Sequence, residues 1–302
     1  MRKSAPWHIS ISLLAAVCLT LPAQAAPELP AQQIQAELET SWLELPNAQA
    51  DRLERYTLWV ARNPELDRET VVLQVNLDLD RTPYDNPRTV DDPSSLTVLV
   101  NKHNALPRDY VPELETLGAD YGSGSLRPEA AQAFREMADA AREEGIALRS
   151  VSAYRSYSYQ NALYSRYLTQ YRQNTADTFS ARPGHSEHQT GLALDINTAS
   201  TRDHFENTPA FAWLKEHCAQ YGFILRYDQG KQDITGYRFE PWHYRYVGVE
   251  IAQACMEQGL SYEEYLALGL TPQEEEAVPP APEPETPPLF PFPIAQGKPI
   301  AL

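Results

Sequence analysis

The sequence predicts an α+β fold, a small, mostly antiparallel sheet flanked by helices. Two observations lead there. Between residues 95 and 270, helix-like and strand-like segments intermix without the regular alternation that builds a parallel sheet. The strand-like segments are also short, whereas the helical ones carry clear start and stop signals. Residues 128–144 open on Pro128, are rich in Ala, Arg and Glu, and stop before Gly145, which predicts a helix. Residues 146–153 follow as a strand that delivers Tyr154 and Arg155 to the end of the sheet. Residues 159–173 and 209–221 read as helices, the latter ended by Gly222. Residues 192–196, 223–227 and 237–246 read as strands.

Upstream the pattern is weaker. Residues 32–44 form a polar, helix-like run. Residues 51–62 place Leu53, Tyr56, Trp59 and Val60 on one helical face. In residues 71–79, Val72 aside, Val71, Leu73, Val75, Leu77 and Leu79 alternate with Gln74, Asn76 and Asp78, the period of a half-buried strand. Residues 26–94 hold too little apolar mass to stand alone. They are expected to be an extension packed on the domain formed by residues 95–270.

Both ends read differently. Arg2 and Lys3 precede an apolar stretch at residues 9–21, and Ala23-Gln24-Ala25 supplies a small-residue cleavage site. Residues 1–25 are therefore expected to be a signal peptide, leaving a secreted protein with no membrane span; a retained N-terminal anchor is the alternative. Residues 271–302 hold 10 of the 25 prolines and are expected to be a disordered or polyproline-like tail.

The net charge of −16, or −18 once Arg2 and Lys3 are removed, argues against nucleic acid and anionic lipid as partners. It suits a soluble protein outside the cytoplasm, expected as a monomer. Cys218 and Cys255 remain after cleavage, and an oxidising location would allow them to pair. Two buried thiols are the other reading. No C-x-x-C spacing suggests a cysteine metal site.

The chemistry lies in two short segments, SEHQTGLALDIN at residues 186–197 and EPWHY at residues 240–244. They offer His188, Asp195 and His243 as ligands for one zinc ion, leaving a fourth position open for water. Asp195 sits among apolar neighbours, where a carboxylate needs a cation; metal or an arginine would serve. Gly184 and Gly191 bracket His188 in what reads as a tight loop. Glu240, three residues before His243, is the candidate general base. In a regular strand Glu240 and His243 would face opposite ways, so Pro241 is expected to impose an irregular entry. His185 is a competing ligand, disfavoured by the spacing to Gly191 and Asp195.

The pattern Ser186-x-His188-x-x-Gly191-x-Ala193-x-Asp195, followed by Glu240-x-Trp242-His243, resembles the VanY-type D-alanyl-D-alanine carboxypeptidases and the related LdcB-like L,D-carboxypeptidases. The likeness takes in residues 98–102 and 106–112, Ser152-Ala153-Tyr154-Arg155-Ser156 with Gln160, and residues 222–227 and 233–237. It implies the zinc-peptidase fold of the D,D-peptidase/hedgehog-like group and peptidoglycan stem peptides as substrate. It places Arg155 near the reacting carbonyl, with Arg155, Gln160 and Ser186 as candidates to hold the substrate's terminal carboxylate. D,D- and L,D-cleavage would use the same residues. A non-catalytic wall-peptide binding module is the remaining reading, disfavoured because Glu240 and His243 are both present.

Overall fold

The computed structural model describes residues 41–198 and 204–270. Near its start two helices, α1 (Leu53–Arg62) and α2 (Arg68–Asn76), pack against each other. Their shared core is Trp42, Tyr56, Val71, Val72 and Val75. The expected strand at residues 71–79 is therefore helix through Asn76 and turn beyond it. Asp67 caps it, its carboxylate accepting from the Thr70 N–H at 2.8 Å. Buried positions 71, 72, 75 and 76 follow helical spacing and not alternation. Packing against Trp42 and Tyr56 overrides the β-branched preference of the valines.

Short pairings lead into the main domain. Strand β1 (Arg88–Thr89) runs parallel to β2 (Asn104–Ala105), and β3 (Glu115–Thr116) pairs antiparallel with β4 (Ser125–Leu126). Helix α3 (Pro128–Glu143) follows, with Pro at its start as its sequence requires. The main sheet holds β5 (Arg149–Ser152), β6 (Ala193–Asn197), β7 (Phe223–Leu225) and β8 (His243–Tyr246), in the order β5-β6-β8-β7 and antiparallel throughout. Helix α4 (Tyr157–Leu168) leaves β5, and α5 (Pro209–His217) precedes β7. Helices α6 (Val249–Gln258) and α7 (Tyr262–Ala267) close the described chain. The α+β class is as expected. The strand expected over 237–246 begins only at His243, because Gln232–Thr235 turns as a helix and residues 237–242 are irregular.

Alternation across this sheet decides what faces the site. Leu194, Ile196 and Tyr244 point into the core with Phe134, Met137, Trp213 and Leu214. Burial of each such side chain contributes about 1.5–3 kcal/mol. Asp195, His243 and Arg245 take the opposite face by the same period of two. A second core, formed by Ile251, Ala252, Cys255, Tyr262 and Tyr265, packs on Ile224 and Val247. Cys218 and Cys255 are both buried free thiols.

The helical pair meets the main domain through polar contacts. Asn76 Nδ2 donates to the carbonyls of Asn47 at 2.9 Å and Ala267 at 3.3 Å. Asp78, in the left-handed region at φ 59°, accepts from Arg55 at 2.8 Å and lies 3.3 Å from Arg88 Nη2. Burial alone would raise the Asp78 pKa, but Arg55, then Arg88 and Arg52, hold it below the usual carboxylate range. A carboxyl so shifted stabilises the fold above its unfolded pKa, and that stability is lost as pH falls through the folded value. We expect Asp78→Asn to lower stability at pH 7 by about 1.5–3 kcal/mol in urea titrations. The gap from wild type should narrow below pH about 4; a gap that persists unchanged there would contradict the ionic assignment.

Candidate active site

Strand register brings the two central side chains together. Asp195 on β6 lies directly opposite His243 on β8, and Ser152 on β5 flanks Asp195 on its other side. Across such a pair side chains stand close enough to share one ligand. His188 enters from a 3-10 turn, Glu187–Thr190, that ends at Gly191 in the left-handed conformation with φ 72°. A Cβ there would meet Arg127 and Pro112 side-chain carbons at 3.1 Å, so the turn depends on glycine.

Each histidine ring is held in one orientation. His188 Nδ1 donates to the Ala153 carbonyl at 2.7 Å, which leaves Nε2 as the free nitrogen, 3.4 Å from Asp195 Oδ1. His243 lies between two carboxylates, its Nε2 3.4 Å from Glu187 Oε2 and its Nδ1 3.2 Å from the same Asp195 oxygen. The three ligand atoms lie within 4.8 Å of one another. A tetrahedral site with metal–ligand bonds near 2.0–2.1 Å has edges of about 3.3 Å, so the two measured separations fit a divalent cation of zinc's size. His185 is elsewhere: its Nδ1 donates to the Asn101 carbonyl at 2.8 Å, away from this cluster.

Charge in the site is tightly balanced. Burial pushes His188 down to about 4, with the Arg155 charge acting in the same direction. Burial also disfavours the charged form of His243, yet hydrogen bonds to Asp195 and Glu187 push it up to about 9. Asp195 is held well below its ordinary value: burial opposes ionisation, and His188, His243 and Arg155 outweigh it. With two carboxylates around His243, the pocket draws positive charge, as a proton or as a metal ion.

Glu240 reaches the same cleft through a turn. The His243 N–H donates to the Glu240 carbonyl at 3.1 Å, with Pro241 at the second position, a proline-favoured β-turn. Both side chains then line one cavity of about 210 Å³. Burial, and then the charge of Asp195, raise Glu240 to about 7 against the lowering effect of His243. Arg155 is half-buried at the wall. Its Nη2 donates to Asp195 Oδ2 at 2.5 Å, and its Nε donates to Ser152 Oγ at 2.9 Å. Gln160 and Ser186 also line the cleft; Gln160 Nε2 donates to the Ala181 carbonyl at 2.8 Å, and its Oε1 has no partner.

Four residues given no role from sequence complete the site. Fully buried Glu187 accepts from Arg226 Nε at 2.8 Å, from Arg245 Nη1 at 3.1 Å and from His243. Arg226 forms a two-pronged pair with Glu263 at 2.7 and 2.8 Å. Arg245 also donates to the Leu96 and Val98 carbonyls. The available signal was two arginines set among apolar and aromatic residues in strand-like runs, where a buried charge requires partners.

The cleft's outer walls are tied by Lys102. Its Nζ donates to the carbonyls of Asp177 at 2.8 Å and Gly236 at 2.5 Å, and it lies over the Tyr237 ring. Burial lowers its pKa to about 8.

Comparison with known proteins agrees with this geometry. The family model VanY, described as D-alanyl-D-alanine carboxypeptidase, matches residues 123–249. Over 175 residues the chain is 35% identical to the bifunctional D-Ala-D-Ala dipeptidase and D-Ala-D-Ala carboxypeptidase VanXYC of Enterococcus gallinarum, covering 55% of this chain and 91% of that one. Its fold matches the solved LdcB LD-carboxypeptidase with a TM-score of 0.57 and 39% identity, covering 60% of this chain and 90% of that one. It also matches a vancomycin-resistance D,D-pentapeptidase VanY mutant in complex with Zn(II), with a TM-score of 0.51, 36% identity, and coverage of 58% and 99%. This chain belongs to the VanY family of D-alanyl-D-alanine carboxypeptidases.

Proposed function

We propose that the protein is a zinc-dependent carboxypeptidase that removes the C-terminal D-alanine from peptidoglycan stem peptides. The observation that carries this reading is one buried cleft holding both the His188, Asp195 and His243 cluster and the carboxyl of Glu240. When bound by those ligands, zinc lowers the pKa of a coordinated water to about 7 and polarises the scissile carbonyl. Glu240 accepts the proton of the attacking water on its carboxylate and returns it to the departing amine nitrogen. Arg155 holds Asp195 in place and sets positive charge beside the developing oxyanion.

Arg155, Gln160 and Ser186 are the groups we assign to the terminal carboxylate. The second N–H of Gln160 Nε2 and the Ser186 hydroxyl are free to donate. The likeness to the LdcB LD-carboxypeptidase favours a second reading, cleavage of tetrapeptide stems with the same machinery. An extracytoplasmic location and a monomeric state complete the proposal. The signal-like residues 1–25 and the acidic composition support the location.

Incubation of the zinc-loaded protein with pentapeptide and tetrapeptide muropeptides, read by mass spectrometry, separates the two activities. Chelator-sensitive loss of one alanine from the pentapeptide is expected; loss from the tetrapeptide alone would shift the assignment to L,D-cleavage. Glu240→Ala should cut kcat by at least about 100-fold while retaining zinc. Near-normal turnover, or loss of metal from that variant, would remove Glu240 from the role of base. Glu187→Gln keeps shape but weakens the hold on His243, and zinc affinity in chelator competition is expected to fall about 10–100-fold. An unchanged affinity would show that Glu187 does not orient the ligand.

A further inference from the structure

Arg238 is a cleft-lining cation that forms no ion pair among the described residues, although its charge acts on the Glu240 carboxylate. Its guanidinium lies 4.7 Å from the centroid of the Phe179 ring. Among the described residues its side chain has no ion pair and no hydrogen bond, although its backbone N–H is fixed on the Thr178 carbonyl at 2.9 Å. The other arginines around the site are committed: Arg155 to Asp195, Arg226 and Arg245 to Glu187. Stacking occupies the face of a guanidinium and leaves its in-plane N–H donors open for an oxygen ligand.

Position along the cleft says which ligand. Gln160, Leu163 and Tyr167 line the wall at helical spacing on α4. The seven-residue step from Gln160 to Tyr167 advances about 10 Å. The Tyr167 ring meets Phe179 edge-on at 5.1 Å, so the Phe179 and Arg238 stack stands at the far end of that wall. An extended peptide advances about 3.3 Å per residue, so the same span corresponds to three residues. In the same cleft, the Gln160 Oε1 and Ser180 Oγ atoms are buried without partners among the described residues, able to accept from backbone N–H groups of a bound chain.

We propose that Arg238, held on Phe179, is a subsite for a carboxylate on the side chain of the third residue from the substrate's C-terminus. This rests on the reading that the terminal carboxylate lies at Gln160. The enzyme then prefers stems whose third residue is a diamino acid with a free second carboxylate over stems with lysine, or with that carboxylate amidated. A carboxylate there forms a charge-assisted, two-pronged pair, whereas an amide or an ammonium leaves Arg238 unpaired or repelled.

The test uses the zinc-loaded full chain and pentapeptides ending X-D-Ala-D-Ala, with X as diaminopimelate, its side-chain amide, or lysine. Wild type is expected to favour the free carboxylate over the amide by about tenfold in kcat/KM, carried by KM. Arg238→Gln should bring that ratio close to one, and Arg238→Lys should keep part of it. Free and amidated peptides cleaved equally by wild type, or a ratio that survives Arg238→Gln, would overturn the subsite. Calorimetric binding of the same peptides to zinc-loaded Glu240→Ala reads the preference apart from turnover. Absence of cleavage of every peptide counts against the carboxypeptidase reading, while equal affinities count against Arg238.

Discussion

Everything in the site hangs on one buried carboxylate. Glu187 lies inside the protein with no solvent, between Arg226 and Arg245, and turns its remaining oxygen to His243. An ionised group in that position costs several kcal/mol to desolvate and is tolerable only with such partners. Two arginines keep it charged, well below its ordinary pKa, although burial pushes the other way. The same charge holds the His243 ring by its Nε2 and so decides which nitrogen faces Asp195. Because Arg226 also holds Glu263 on α7, and Arg245 holds the backbone at Leu96 and Val98, the site is clamped by segments remote in sequence.

Much of this was legible in the sequence, for a local reason. His188 and Asp195 lie seven residues apart around Gly191, and Glu240 and His243 lie within one turn, so short-range geometry limits what they can do. The irregular entry expected from Pro241 is the β-turn that lets Glu240 and His243 share a cleft. Glu187 was hidden because its partners stand 39 and 58 residues away, and no local pattern marks a long-range ion pair. Residues 71–79 misled for a related reason: alternation of valine and leucine is consistent with a strand until the neighbours are known. Trp42, Tyr56 and the Asp67 cap select the helix instead. The signal-like residues 1–25, most of the 32–44 run and the 271–302 tail lie outside the described residues.

The sheet separates two tasks that compete for the same strands. One face of β6 and β8 carries Leu194, Ile196 and Tyr244 into close-packed core, where a lost methylene is felt. The other face carries Asp195, His243 and Arg245. Stability and chemistry thus alternate residue by residue, and a shift of register by one would exchange them completely. Pairing of β6 between β5 and β8 guards against such a slip on both edges.

Lys102 has a consequence at larger scale. Its ammonium joins the Asp177 carbonyl to the Gly236 carbonyl, two residues before Phe179 and two before Arg238. A tie-rod anchored on the segment between α2 and β2 therefore joins the two segments that carry Phe179 and Arg238, while the candidate metal ligands are braced independently from behind. Aperture and reactivity can then drift separately over evolutionary time.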